Sequence, residues 1–450
     1  MLVPRRSRGA ALAACVGLLL TVAACGTADD REDDPATQVR LYGSDGNMQN
    51  HFGSEFADQT GVLKGMKGTI PFTPLPPEFK NRLLAFDPKL NDFLYSAETY
   101  DAVAISALAA QLAGSTDPAK IAEQINGVTN SGQRCTSVAA CLQLARAGKD
   151  IEYRGPSLTR GGFTEVGEPS TASYATLHFD DNDKIDDGKT EFVGAGDESS
   201  GSKKQPPAPK KQQGDGGGRD GSPLKIGGLL PKTGDLAMAY PPLIAAASLA
   251  IKDVNAAGGV LGDPVAWIEG DDGTNPAVAK ATVARHIQQG VHVIIGAGAS
   301  GISRAVLPDV VAAGLILFSP CNTDAGLTKV DDKGLYFRTA PSDILQGRAL
   351  ADVILRDGSK KIVLVARKDS YGEGLQANVR AELERVGVAP DHLKLLTYDP
   401  PADAKAPPVD FDAGAREIKQ FAPDAVLVIG FAESAQVIKA LVEAGVDIRH

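Results

Sequence analysis

The sequence has little of several features that point to particular classes of protein. Its 450 residues include six histidines and one tryptophan, and they contain no G-x-S-x-G motif. No Cys/His spacing typical of zinc is present either, so neither the sequence of a zinc enzyme nor that of a serine hydrolase is indicated. The formal net charge of −10 argues against a nucleic-acid partner, which needs a basic face. We predict a protein that is not an enzyme and that carries no cofactor or metal.

Long apolar runs are also scarce, because the sequence has only one, at residues 9–24. It follows Arg5, Arg6 and Arg8 and ends in Val-Ala-Ala before Cys25, which is typical of an export signal. A Cys at this place resembles the bacterial lipobox. We therefore predict a signal peptide at 1–24, lipidation of Cys25, a tether at 25–37 and a location on the outer face of the cell membrane. The alternative is a secreted protein cut without lipidation.

The other cysteines fit an exported protein. Cys135 and Cys141 are close in sequence, and export permits a disulfide between them, so we predict this pair. Two reduced, half-buried thiols are the alternative. Cys321 has no partner left, and a small buried apolar residue is a better interpretation of it than a nucleophile.

A low-complexity stretch divides the chain into two blocks. Residues 186–222 contain Pro206-Pro207-Ala208-Pro209 and Gly216-Gly217-Gly218, and we predict a flexible linker there, with disorder over 194–222. The block after it alternates strand and helix patterns. The predicted strands are 224–230, 264–269, 291–296, 315–319, 361–366, 393–398 and 425–430, and the predicted helices are 243–255, 276–289, 303–313, 372–386, 412–421 and 433–445. Such alternation predicts an α/β fold of parallel sheets with helices on both faces.

The block before the linker contains too few strands to make a sheet of its own. Its predicted elements are strands at 39–43, 65–70 and 172–179 and helices at 92–112 and 137–147. We therefore interpret this block as part of a larger folded unit.

Short motifs in both blocks carry a family resemblance. The second block contains Pro231-x-Thr233-Gly234, Asn255-Ala256-Ala257-Gly258-Gly259, Ser319-Pro320-Cys321-Asn322-Thr323, Phe337-Arg338-Thr339-Ala340-Pro341 and Tyr371-Gly372-x-Gly374. On these motifs, residues 223–450 resemble the first part of the leucine/isoleucine/valine-type periplasmic binding proteins. Leu41-Tyr42-Gly43-Ser44-Asp45-Gly46 and Thr99-Tyr100-Asp101-Ala102-Val103 resemble later parts of the same family.

The resemblance implies a two-lobed, type I periplasmic-binding-protein fold whose segments stand in a circularly permuted order. Residues 38–185 would be the family's C-terminal part moved to the front, contributing to both lobes. Residues 223–342 would form the first lobe and 343–450 the second. Two fragments of a tandem pair, or a misassembled gene, are the alternatives.

The resemblance also implies a ligand site between the lobes. Ser300 falls on the family's carboxylate-binding serine, Thr323 and Cys321 fall on its second carboxylate loop, and Asp45 falls on the acid that pairs with the ligand's ammonium. The aromatic walls would be Tyr240, Tyr371, Phe431 and Tyr95. Ser300 also lies in Gly296-x-Gly298-x-x-Gly301, a dinucleotide-type pattern that is weak by itself and that a plain tight turn also explains.

The implied function is that of an extracytoplasmic solute-binding component of an ABC importer. Its partners would be a small amino-acid-like or amide ligand and a branched-chain-type ABC permease, with membrane contact through the lipid anchor only. The alternatives are a ligand-sensing receptor of the same fold, an exported α/β enzyme, or a chain that does not fold.

Overall fold

The computed structural model describes residues 38–210, 223–403 and 405–448. The predicted signal peptide, the lipidation site Cys25 and the tether at 25–37 lie outside the described residues, as do residues 211–222 of the predicted linker.

Within the described residues, the chain forms fourteen strands and eleven α-helices. The strands are β1 Arg40–Gly43, β2 Lys67–Pro71, β3 Gln133–Cys135, β4 Ile151–Tyr153, β5 Thr171–His178, β6 Glu191–Gly196, β7 Lys225–Leu229, β8 Ala266–Ile268, β9 Val293–Gly296, β10 Ile316–Ser319, β11 Tyr336–Arg338, β12 Ile362–Arg367, β13 Leu393–Tyr398 and β14 Ala425–Ile429. The helices are α1 Pro77–Phe86, α2 Ser96–Ala113, α3 Pro118–Val128, α4 Val138–Arg146, α5 Tyr240–Ala256, α6 Pro276–Gln288, α7 Ser300–Ala312, α8 Asp343–Arg356, α9 Ser370–Arg385, α10 Asp412–Phe421 and α11 Ala435–Glu443.

The strands form two main sheets. One has five parallel strands in the order β11-β10-β9-β7-β8, and we call the part of the molecule around it the first lobe. The other has seven strands in the order β13-β12-β14-β1-β2-β5-β6 and belongs to the second lobe. Its first five strands are parallel, and β5 and β6 are antiparallel to their neighbours. The predicted α/β fold with parallel sheets is confirmed.

Helices cover both faces of each sheet, so the central strands are largely apolar. Every residue of β12 and β14 is buried, as the sequences IVLVAR and AVLVI lead one to expect. Strand β1 from the first block lies directly beside β14 from the second, with Arg40 paired to Ala425 and Gly43 paired to Val428. The first block therefore completes a sheet that the second block begins.

Helix α2 is the most deeply enclosed helix of the first lobe. All eighteen of its residues are buried, which is typical of a helix surrounded by other elements. Alanines on α2 and on α5 let the two helix backbones approach each other. The end of α2 is closed by Gly114, whose φ of 60° suits a left-handed cap. None of the helices in the described ranges is long and apolar enough to cross a membrane.

The structure differs from the prediction of disorder over residues 194–210. Residues 191–196 form strand β6 because the open edge of β5 offers unpaired backbone groups, and Phe192 stacks on Phe72. The chain then follows the first lobe, where Pro207 O accepts a hydrogen bond from Gln124 at 2.9 Å and Lys210 N donates to Leu112 O at 3.1 Å. Low apolar content did not prevent order here, because neighbouring elements supply the partners.

Cys135 and Cys141 are joined by a disulfide that links β3 to α4, with their Cα atoms 5.5 Å apart. Cys321 is a free, buried thiol.

The loop after β1 depends on close packing of β1 against β2. A Cβ atom at Gly68 would lie 2.4 Å from Gly43 O and 2.5 Å from Met48 Cγ. We expect Gly68→Ala to lower the free energy of unfolding by about 1–3 kcal/mol, because the added methyl group would overpack the space between β1 and β2. Gly374→Ala is the control, since its Cβ would meet only Asp324 Oδ1 at 3.5 Å. Equal stability of both variants in urea denaturation would contradict the expectation.

Candidate functional site

A small cavity lies between the two lobes, where several parallel strands end. Loops that follow β1, β9, β10 and β14 meet there, as expected for the carboxyl ends of parallel strands. The lining residues are Asp45, Gly46, Gln49, Leu94, Tyr95, Leu236, Ala239, Gly298, Ala299, Ser300, Cys321, Thr323, Tyr371 and Phe431. Seven of the eight ligand-site residues predicted from the sequence are among them; Tyr240 is not.

Ser300 is placed by the turn between β9 and α7. Gly296 ends β9 with φ 142°, and a Cβ there would lie 2.0 Å from Leu229 O, so only glycine fits. Ser300 then begins α7, and its Oγ accepts a hydrogen bond from Asp324 N at 3.3 Å. The hydroxyl hydrogen is left to donate, beside the first N–H groups of the helix, which have no intrahelical partner. This corner suits a carboxylate.

The loop after β10 is fixed to the loop after β9 by side-chain hydrogen bonds. Ser319 Oγ donates to Ala297 O at 2.8 Å, and Asn322 Nδ2 donates to Ala297 O and Gly298 O at 3.1 and 3.0 Å. Thr323, at the end of this loop, is 1% exposed, and its Oγ1 has no hydrogen-bond partner among the described residues. The loop therefore presents a buried hydroxyl with unused hydrogen-bonding capacity, next to Ser300.

Asp45 lies on the opposite, second-lobe side and is 5% exposed. Its Oδ1 accepts hydrogen bonds from Gln346 Nε2 at 2.8 Å and from Tyr371 Oη at 2.7 Å, and its Oδ2 accepts one from Tyr95 Oη at 2.7 Å. None of the ion pairs found over the described ranges includes Asp45. Burial raises the pKa of Asp45, although these hydrogen bonds oppose the effect. The carboxylate thus has neutral donors and lacks a cationic partner.

Tyr371 and Phe431 form one wall of the cavity. Their rings are stacked with centroids 5.3 Å apart and an interplanar angle of 17°. The guanidinium of Arg367 lies 4.0 Å from the centroid of the Phe431 ring. It also forms a buried ion pair with Glu433, whose Oε1 accepts a hydrogen bond from Arg367 Nη1 at 2.7 Å. This arrangement fixes the Phe431 ring, while the Tyr371 hydroxyl turns to Asp45.

The prediction of Tyr240 as a wall of the cavity is not met. Ala239, one residue earlier, lines the cavity, and Tyr240 is the first residue of α5. One step along a helix turns a side chain by about 100°, so the tyrosine points elsewhere. Its half-buried ring has the ammonium of Lys232 5.9 Å from its centroid.

Buried acids surround the first-lobe side of the cavity. Burial raises the pKa of Asp272 to about 7 and that of Glu98 to about 8. Burial, together with the negative charges of Glu98, Asp272 and Asp45, raises the pKa of the Cys321 thiol. A thiol in these surroundings stays protonated, so it is a poor nucleophile.

The cavity is narrow, with a volume of about 20 Å³, which is close to the room that one water molecule needs. A larger groove of about 880 Å³ runs over the first lobe between α3 and residues 327–337, and it shares no lining residue with the cavity. That groove is open and includes none of the predicted site residues, so the convergent polar groups single out the smaller space as the candidate site.

The comparisons with known proteins agree with this architecture. The profile of a family described as "Periplasmic binding protein" matches residues 223–449. The chain belongs to this periplasmic binding protein family. The family consists of substrate-binding proteins that work outside the cytoplasm, and not of enzymes, so the predictions of the family and of a non-enzyme are confirmed.

Several curated members of the family are similar to parts of the chain. A Leu/Ile/Val-binding protein homolog 3 of Brucella melitensis is 26% identical over 228 residues, which are 50% of this chain and 59% of that protein. An amino acid binding protein of Pseudomonas aeruginosa is 32% identical over 144 residues, which are 32% of this chain and 38% of that protein. The chain thus spans between about two fifths and three fifths of the length of these relatives.

Among solved structures, the substrate-binding protein LivJ of Streptococcus pneumoniae in complex with isoleucine is similar, at 26% identity and a TM-score of 0.43. The match covers 50% of this chain and 63% of LivJ.

Gln49 and Gln346 are site residues that the sequence did not reveal. Gln346 lies on α8, a helix that is not among the predicted elements, and its contact with Asp45 depends on the packing of α8 beside β2. Gln49 lies four residues after Asp45 in a loop with no pattern to show that it is buried. Glutamines in loops are usually exposed, so sequence alone does not mark such residues.

The raised pKa of Glu98 gives a measurable dependence of stability on pH. The ordinary pKa of this carboxyl group is 4.5, and burial raises it to about 8 in the folded protein. The unfolded chain therefore releases the proton at a lower pH than the folded protein does. This group's contribution to stability is therefore complete below pH 4.5 and is lost as the pH rises toward 8, by up to about 1.4 kcal/mol per pH unit. We expect Glu98→Gln to be more stable than the wild type at pH 8, by urea denaturation. A difference between the two proteins that does not change with pH would contradict the assignment.

Proposed function

We propose that this protein is the solute-binding component of an ABC importer and that it holds a small ligand with an α-amino-acid head group between its lobes. The observation that carries the proposal is the buried Asp45 carboxylate, which has three neutral hydrogen-bond donors and no cationic partner in the described part of the chain. An ammonium group would supply the missing charge.

The first-lobe side of the cavity supports the other end of such a ligand. Ser300 and Thr323 have hydroxyl groups available to donate, and the N–H groups of Ser300 and Gly301, the first two residues of α7, have no carbonyl partner within the helix. A carboxylate there and an ammonium at Asp45 would together make a zwitterion. The names of the curated relatives, a Leu/Ile/Val-binding protein homolog and an amino acid binding protein, point to the same class of ligand.

The narrow cavity supports a binding mechanism in which the lobes part. A volume of about 20 Å³ cannot hold an amino acid, so the ligand would enter an open form and the lobes would close on it. Hydrogen bonds away from the cavity also link the lobes; for example, Ala432 N donates to Asp235 O at 3.3 Å, and Asn275 Nδ2 donates to Ala402 O at 3.0 Å. A ligand that contacts both lobes would favour the closed form by its differential contacts.

We also propose the export and anchoring that the N-terminal sequence predicts. Residues 1–24 would be the signal peptide, and Cys25 would carry the lipid that holds the protein to the outer face of the membrane. The basic residues at Arg5, Arg6 and Arg8 and the small residues before Cys25 support this proposal.

The circular permutation is a further part of the proposal. The family match begins at residue 223, and the first block supplies β1, which lies between β14 and β2. Val39 N donates to Asp447 O at 2.7 Å, so the start of β1 lies next to residues near the end of the second block. A short connection there would restore one continuous order, which supports a circular permutation over two fragments of a tandem pair.

The experiment that tests the ligand class compares amino acids with analogues that lack the amine. We expect L-leucine or another L-α-amino acid to raise the thermal unfolding midpoint, and 4-methylpentanoate to bind about 100-fold more weakly or not at all, because it leaves Asp45 unpaired. We expect Asp45→Asn to weaken amino-acid binding by a similar factor. Asp391→Asn, an exposed acid, is the matched control. Equal binding of the amine-free analogues would refute the role of Asp45.

Binding should also be linked to protons. Since burial raises the pKa of Asp45, a bound ammonium would stabilise the charged carboxylate and lower that pKa, so ligand binding would release protons. Affinity is therefore expected to fall as the pH falls. Calorimetric titration of an amino acid in two buffers of different ionisation enthalpy measures the released protons, and Asp45→Asn should reduce their number. An unchanged number in that variant would exclude Asp45 as their source.

A further inference from the structure

Gln49 lines the cavity but takes no part in the arrangement described so far. Its side chain is 1% exposed, and neither its Nε2 nor its Oε1 has a hydrogen-bond partner among the described residues. It shares the cavity with Asp45, Tyr95, Ser300 and Thr323. A buried amide with both ends unused is the least satisfied polar side chain of this site.

The same loop shows what a structural amide looks like in this protein. Asn47, two residues earlier, is fully buried; its Oδ1 accepts from Ser44 N at 2.8 Å, and its Nδ2 donates to Val428 O at 2.9 Å. Asn47 therefore serves to fix the loop. The side chain of Gln49 makes no such hydrogen bond with any described residue, and each of its unpaired ends costs about 1–3 kcal/mol. An apolar side chain of similar shape, such as methionine, would avoid that cost.

We propose that Gln49 is a specificity-determining residue and that it recognises an uncharged polar group, best a carboxamide, on the side chain of the ligand. A carboxamide has one acceptor and two donors, so it can pair with both ends of Gln49 at once. This inference rests on the proposed function, because the amino-acid head group is assigned to Asp45, Ser300 and Thr323. It narrows the ligand to a neutral polar amino acid of the glutamine or asparagine type.

The charge of the cavity should allow the site to distinguish a ligand with a side-chain carboxamide from one with the corresponding carboxylate. Asp45 is the acid among the residues that line the cavity, and none of the described lining residues is a lysine, an arginine or a histidine. A second carboxylate on the ligand would therefore find no cation among these lining residues to pair with. Glutamate should therefore bind more weakly than glutamine, although the two have nearly the same shape.

Calorimetric titration of the purified full chain with L-glutamine, L-asparagine, L-glutamate, L-methionine and L-leucine tests the proposal. We expect the better of the two amides to bind at least about tenfold more tightly than methionine or leucine, because an apolar side chain leaves Gln49 unpaired. Gln49→Met should remove or reverse this preference and should not lower the thermal midpoint. Gln420→Met, at an exposed position of α10, should leave the preference unchanged.

The outcomes distinguish this inference from the proposed function. Binding of methionine or leucine as tightly as the amides would overturn the role of Gln49, while the amino-acid site at Asp45 would stand. Binding of propionamide with no binding of any amino acid would refute the head-group assignment and support Gln49. Failure of every amino acid and of propionamide would overturn both. The preference of the wild type is measured without any variant, so a Gln49→Met protein that fails to fold does not prevent the decision.

Discussion

The carboxylate of Asp45 is the constraint around which the site is arranged. A buried, charged carboxylate is costly unless hydrogen bonds or a cation compensate for the lost water. Here the donors come from three distant parts of the chain: Tyr95 before α2, Gln346 on α8 and Tyr371 on α9. The position of each of these elements therefore depends on where strand β1 ends.

Tyr95 shows how far the backbone adapts to this requirement. Its φ of 57° is in the left-handed region, which costs a tyrosine about 1 kcal/mol or more. The residue stands immediately before α2, and its hydroxyl lies 2.7 Å from Asp45 Oδ2. Because α2 belongs to the first lobe and Asp45 to the second, this hydrogen bond also joins the lobes. The strained Tyr95 thus contacts the carboxylate that is proposed to bind the ligand's ammonium, and the same contact joins the two lobes.

The parts of the fold that follow from periodic patterns could be predicted from the sequence. Strand β14 is apolar throughout and β12 is apolar up to its last residue, Arg367, and helices α9 and α10 begin and end within two residues of the predicted ranges. Short or edge elements could not be found in this way. Strand β6 reads GluPheValGlyAlaGly, and only the open edge of β5 makes it a strand. Helix α8 was also missed, although Ser342 caps it by accepting from Ile344 N.

The candidate site divides in a similar way. The family resemblance assigned Asp45, Ser300 and Thr323 to the site, and they line one cavity because the parallel strands that precede them end there. Tyr240 was predicted to line the cavity, but the preceding residue, Ala239, lines it instead. One step along a helix is enough to turn a side chain away from the cavity. Gln49 and Gln346 could not be identified, because the burial of a polar loop residue depends on packing that local sequence does not encode.

The part of the chain that matches the family profile supplies only some of the residues of the candidate site, so the match by itself does not determine the ligand specificity. Residues 223–449 supply Ser300, Thr323, Tyr371 and Phe431, which are the carboxylate corner and one aromatic wall. Asp45, Gln49 and Tyr95 come from the first block, outside the matched part. The groups proposed to recognise the ammonium and the side chain of the ligand therefore include residues that the family match does not cover. Specificity has to be argued from the contacts of those residues, and those contacts form because β1 pairs with β14 at the centre of the second sheet.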